Sequence, residues 1–114
     1  MNLATKDSIL KAKDWNHTDI DVPHWGRVRI RELSAAEYAD FARDFAGGAT
    51  KDVDALKLFG RLVVACVVDD DGEQVFTAED LDAVQRKSLK TLQYVAEQIL
   101  KFNGIGGDEE LEKN

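Results

Sequence analysis

Residues 19–33 read DIDVPHWGRVRIREL. Ile20 and Val22 alternate with Asp19 and Asp21, then Val28 and Ile30 alternate with Arg27, Arg29 and Arg31. A period of two on both sides of a break holding proline and glycine predicts two strands joined as a hairpin. A three-residue loop His24-Trp25-Gly26, with the glycine in the left-handed conformation, sets Pro23 opposite Arg27. Val22 then faces Val28 and Ile20 faces Ile30, while Asp21 faces Arg29 and Asp19 faces Arg31 on the other side. A slip of one residue would set valines against arginines, so the apolar and charge patterns select this register together. The alternating arginines behind Trp25 also raise the question of a nucleic-acid interface. Carboxylates across from two of them cancel the local field, although each such exposed pair contributes only about 0.2–1 kcal/mol.

Helical signals dominate the rest of the chain. Upstream, Asp7 is the expected cap of a short helix over residues 8–13, in which Ile9 and Leu10 give a small apolar face. Downstream, SAAE at residues 34–37 has the form of a capping box and predicts a helix from Ala35. There Tyr38, Phe41, Ala42 and Phe45 share one face, and Gly47-Gly48 ends the helix. From about Val53 a second helix runs into LKLFGRLVVACVV, whose apolar residues surround it, which marks the central buried element. The end of that helix is open, since Val67 and Val68 are β-branched and could leave it to pair with residues 74–76 across the turn DDDG; the order expected is helix, then turn, then a short strand. Thr77 and Asp80 cap a helix carrying Leu81 and Val84. A longer helix runs from Ser88 or Leu89 to Phe102, with Leu89, Leu92, Val95, Ala96, Ile99 and Phe102 or Leu100 at helical spacing, and stops at Asn103-Gly104. The expected fold is α+β and mostly α, an N-terminal β-hairpin packed on a bundle of about four helices. Residues 1–105 form a single domain and residues 106–114 a flexible acidic tail.

Composition narrows the function classes. The chain has 114 residues, is 44% hydrophobic and 32% charged, and carries a formal charge of -7, which opposes binding to phosphate backbones. No stretch of eighteen apolar residues occurs and the N-terminus lacks the pattern of a secretory signal, so a cytoplasmic protein that does not enter membranes is expected. The lone Cys66 lies in an apolar run and reads as a buried hydrophobe. Asp69, Asp71 and Gly72 match positions three, five and six of an EF-hand loop, but Val67 and Ala78 stand where its first and last carboxylates belong. His17 and His24 have no partners at zinc-ligand spacing. With no nucleophile elbow, phosphate loop or dinucleotide fingerprint in the sequence, no enzyme, cofactor or metal is expected. The seven carboxylates between Asp69 and Asp82, with no base among them, form a negative patch suited to a basic protein partner.

Three segments carry a resemblance: VPHWGRVRIRELSAAE, VVDDDGEQVFTAEDLDAV and ILKFNGIGGDEELEKN. In order and spacing the chain resembles, from Asp7 onward, the tail assembly chaperones of long-tailed phages and prophages. Arg27 stands where that family often has a second glycine, and Phe102 where it often has leucine. The resemblance implies a non-catalytic protein of the host cytoplasm that binds the tape measure protein, helps the tail tube assemble around it, and leaves before the virion matures. It also implies possible homo-oligomers and a longer frameshifted product that reaches the tail tube protein. Glu112-Lys113-Asn114 can be encoded by GAA-AAA-AAC, a slippery run that reading the codons would verify. Such a chaperone needs apolar anchors for its client, and Trp25, Trp15, Phe102 and Ile105 are the candidates. The alternative reading is a small nucleic-acid-binding domain that uses Arg27, Arg29 and Arg31.

Overall fold

A computed structural model describes residues 2–46 and 52–105. The expected stop at Gly47-Gly48, the Phe45 side chain and the acidic tail over residues 106–114 lie outside the described residues. The elements run α1 (Lys6–Lys11), β1 (His17–Val22), β2 (Gly26–Arg31), α2 (Ala35–Ala46), α3 (Asp52–Cys66), β3 (Val67–Val68), a 3-10 turn (Ala78–Asp80), α4 (Leu81–Gln85) and α5 (Leu89–Phe102). The fold is α+β and mostly α, as the sequence predicts. The hairpin gains a third strand, giving the antiparallel order β1-β2-β3.

The hairpin forms in a register two residues away from the expected one. Val22 faces Gly26, Asp21 faces Arg27, Ile20 faces Val28, Asp19 faces Arg29 and Thr18 faces Ile30. The loop is Pro23-His24-Trp25, with the Trp25 N–H donating to the Val22 carbonyl at 3.1 Å and His24 at a φ of 72°. Proline first and a positive φ second is the pattern of a type II turn. Proline's ring presets the first of these positions, and histidine is among the residues that tolerate the second. A shift by two leaves every side chain on its original face. The period-two pattern therefore excludes the odd slip but cannot choose between these two registers.

The core lies between this sheet and α3 and α5. Ile30, Val63, Cys66, Val95, Ala96 and Ile99 are fully buried. Among the described side chains, α3 is the most buried helix, as its all-round apolar composition predicts. At Cys66 it passes directly into Val67-Val68, which pairs with Ile30 and Arg29 of β2. The short strand expected after the turn does not form, and of the pairing left open with residues 74–76 there is a bridge from Val68 to Gln74. The central strand β2 offers Val67 and Val68 a longer partner than the turn does.

Two helix expectations are corrected. Α1 begins at Lys6 rather than Ser8, capped by Thr5 rather than Asp7, because Thr5 and Ser8 each accept the other's backbone N–H at 3.1 and 2.9 Å. None of its residues is buried. In α2, Phe41 packs toward the core while Tyr38, expected on the same face, is 47% exposed. The end of α5 is as expected. Gly104, at a φ of 69°, donates to the Lys101 carbonyl and Ile105 to that of Leu100, the paired bonds of a Schellman cap. Asn103 goes further, accepting from the Leu33 N–H and donating to the Ile99 carbonyl, each at 2.8 Å, and so ties α5 to the β2–α2 connection.

Candidate protein-binding surface

The register decides what the arginines do. Arg29 meets Asp19 through two bonds of 2.7 and 3.2 Å, and Arg27 reaches Asp21 at 3.6 Å on the open surface. The Arg29 hydrogen bond holds the Asp19 carboxyl below its ordinary value. Arg31, expected opposite Asp19, is instead 5% exposed and turned inward. Its guanidinium grips both Glu37 oxygens at 3.0 Å, donates to the Glu32 carbonyl at 2.6 Å and stacks over Trp15 at 4.2 Å. Burial pushes the Glu37 carboxyl up, but the Arg31 bonds and the Ser34 N–H outweigh it and hold the group below its ordinary value. Each of the three arginines therefore faces a carboxylate, an arrangement unsuited to gripping phosphates.

The other chemical candidates have structural duties. Burial pushes the Cys66 thiol up to about 12, which keeps it protonated and inert. Asp69 closes its own turn, accepting from the backbone N–H groups of Asp71 and Glu73 at 2.8 and 3.0 Å. Among the described residues no three His, Cys, Asp or Glu side chains converge in a way that could hold a metal ion. No helix among them is long and apolar enough to cross a membrane.

What the fold does build is an apolar trough. An open groove of about 480 Å³ lies between the hairpin tip and α4, with Trp25, Val28, Val68, Val75 and Val84 on its walls and Arg27, Lys87 and Asp80 at its rim. A second groove of about 620 Å³ continues from Phe76, a wall of both, over Val64, Ala65, Ala78 and Leu81. Val75 is 50% exposed at the junction. An apolar floor with a charged rim suits a polypeptide partner.

The four anchors read from the sequence separate. Trp25 is half-buried in the trough. Trp15 is 41% exposed and lies at the opposite end of the hairpin, under Arg31. Phe102 packs partly into the core, and the Ile105 backbone closes the α5 cap. Sequence reasoning missed Val75 and Phe76 as surface residues. They were legible as an apolar pair beside an acidic turn, Val75 half-exposed and Phe76 partly buried against the core.

Comparison with protein-family models gives no match, and neither does comparison with curated proteins. Among solved structures, the chain is similar to the tail assembly chaperone of bacteriophage HK97. The TM-score is 0.56 and the identity 20%, and the likeness covers 82% of this chain and 95% of that one. The chain therefore shares the fold of a phage tail assembly chaperone.

Proposed function

We propose that this protein is a tail assembly chaperone of a long-tailed phage or prophage. It binds the tape measure protein, keeps its apolar helices soluble and promotes tail tube assembly, working in the host cytoplasm without catalysis and remaining outside the mature virion. The observation that carries the reading is the shared fold, which spans nearly the whole of the HK97 chaperone chain. The trough supplies a physical means, because an amphipathic helix can lay its apolar face along Trp25, Val75 and Phe76 while the charged rim stays wet. Trp25 is the principal anchor. Trp15, 41% exposed, is a second contact, with Phe102 and Ile105 at the far end of α5 as lesser ones. A frameshifted longer form would extend the acidic tail toward the tail tube protein.

The test is co-expression with the neighbouring tape measure protein. Wild type keeps that protein in the soluble fraction, whereas the double variant Trp25→Ala/Val75→Asp remains folded and loses most of the effect. A folded wild type that leaves the tape measure protein in aggregates overturns the proposal.

A further inference from the structure

The chain carries a formal charge of -7, yet the rim of the trough that holds Trp25 has the opposite sign. Among its lining residues Arg27, Arg29 and Lys87 are bases, and Asp80 is the acid. Arg29 is committed to Asp19 through its two bonds. Arg27 stands 3.6 Å from Asp21 with 74% of its side chain exposed, beyond hydrogen-bond length and able to turn to a guest. Lys87 forms no ion pair among the described residues, and neither do its neighbours Arg86 and Lys90. Residues 83–96 contain these three bases and no acid. The N-terminus of α5, whose cap Ser88 directly follows Lys87, adds the positive end of a helix dipole.

The nearby acids are occupied by comparison. Asp80 accepts the Thr77 N–H at 2.8 Å and the Thr77 hydroxyl at 3.3 Å. It lies about two helical turns, on the order of 10 Å, from Lys87 along the α4 wall. Asp69 closes its own turn, and Glu73 takes the Lys13 ammonium at 2.8 Å. Apart from Asp80, no carboxylate between Asp69 and Asp82 lines the trough. The charge left open there is therefore positive. Lysine and arginine stems cover apolar surface while their heads stay wet, so these bases can border an apolar guest without being buried.

We infer that the trough selects an amphipathic helix edged with carboxylates, its apolar face on Trp25 and Val75 and its acids against Lys87 and Arg27, with Arg86 and Lys90 extending the basic bank. The inference deepens the proposed function and rests on its reading of the trough as a polypeptide site. Helices edged with Glu or Asp are retained and those edged with Lys or Arg are turned away, the reverse of what the net charge suggests.

The experiment uses the full-length protein and two synthetic amphipathic helices that share one leucine face and differ at the positions beside it, Glu in one and Lys in the other. Calorimetry at low salt gives the Glu helix about tenfold tighter binding, the yield of a few exposed ion pairs, and the ratio shrinks toward one as salt rises. Trp25→Ala weakens binding of the Glu helix, which places it in the trough. Lys87→Glu/Lys90→Glu, at exposed positions and with unchanged circular dichroism, abolishes the preference. Equal or tighter binding of the Lys helix overturns the inference, as does a preference that survives the double variant or binding that ignores Trp25→Ala. A trough already filled by a second copy or by residues 106–114 admits neither helix, and that result overturns it as well. The two readings fail separately: a tape measure protein kept soluble without any peptide preference sinks this inference alone, whereas a clear preference beside an aggregated tape measure protein sinks the chaperone reading and leaves the charge selection standing.

Discussion

Two of the capping boxes, those at α1 and α2, use the same local chemistry with opposite structural weight. At α1, Thr5 and Ser8 exchange backbone bonds in full solvent. At α2, Ser34 accepts the Glu37 N–H at 3.1 Å and Glu37 accepts the Ser34 N–H at 2.8 Å, while Glu37 also holds the buried Arg31. The cap sets where each helix begins. Only the second box is wired into the body, through an arginine that reaches the sheet, Trp15 and the Glu32 carbonyl at once. The contrast separates the start of a helix, written locally, from its stability, which comes from what it touches.

The sharpest way to break the contrast is Arg31→Ala. Removing one partner of a fully buried ion pair costs about 3–5 kcal/mol. Glu37 retains 34% side-chain exposure, so we expect about 2–3 kcal/mol in urea denaturation; a loss below about 0.5 kcal/mol would put Arg31 on a par with surface pairs.

Acid probes the same wiring more gently. The Glu37 carboxyl is held below its ordinary 4.5 in the folded protein. Its contribution is therefore fully present above the unfolded value and fades as pH falls through the lower folded one. Below pH 4.5 wild type should lose stability more steeply than Glu37→Gln, measured as melting temperature against pH. Parallel curves would show that Glu37 does not carry the acid response.

The smallest effect belongs to Thr5→Ala. A cap typically contributes about 1 kcal/mol to the helix it starts. Α1 buries nothing, so in the monomer the global unfolding free energy should move by less than about 0.5 kcal/mol while helicity drops slightly. A larger destabilisation would mean that α1 packs on the body.

How much of this was legible in the sequence follows the same division. The two hairpin strands, the start of α2 and both ends of α5 were readable because each depends on a few adjacent residues: period two, SAAE, Ser88 and Asn103-Gly104. The hairpin register was not, because Asp and Arg both recur every second residue and a shift by two satisfies the pattern equally well. Pro23 held the deciding information, since its fixed φ favours the turn observed. The inward turn of Arg31 was hidden for a related reason, as it required knowing that Asp19 was already taken by Arg29. The trough was hidden too, being assembled from the hairpin tip, the end of α3 and α4, which lie far apart in sequence.

The junction at Cys66-Val67 has a mechanical consequence. With helix and strand joined by a single peptide bond, there is no slack through which the sheet could swing relative to α3. Trp25 and Val28 on one wall and Val64 and Ala65 along the floor thus keep a fixed separation. With walls fixed in this way, the trough would spend little ordering entropy on the client proposed above, leaving selectivity to the client's shape.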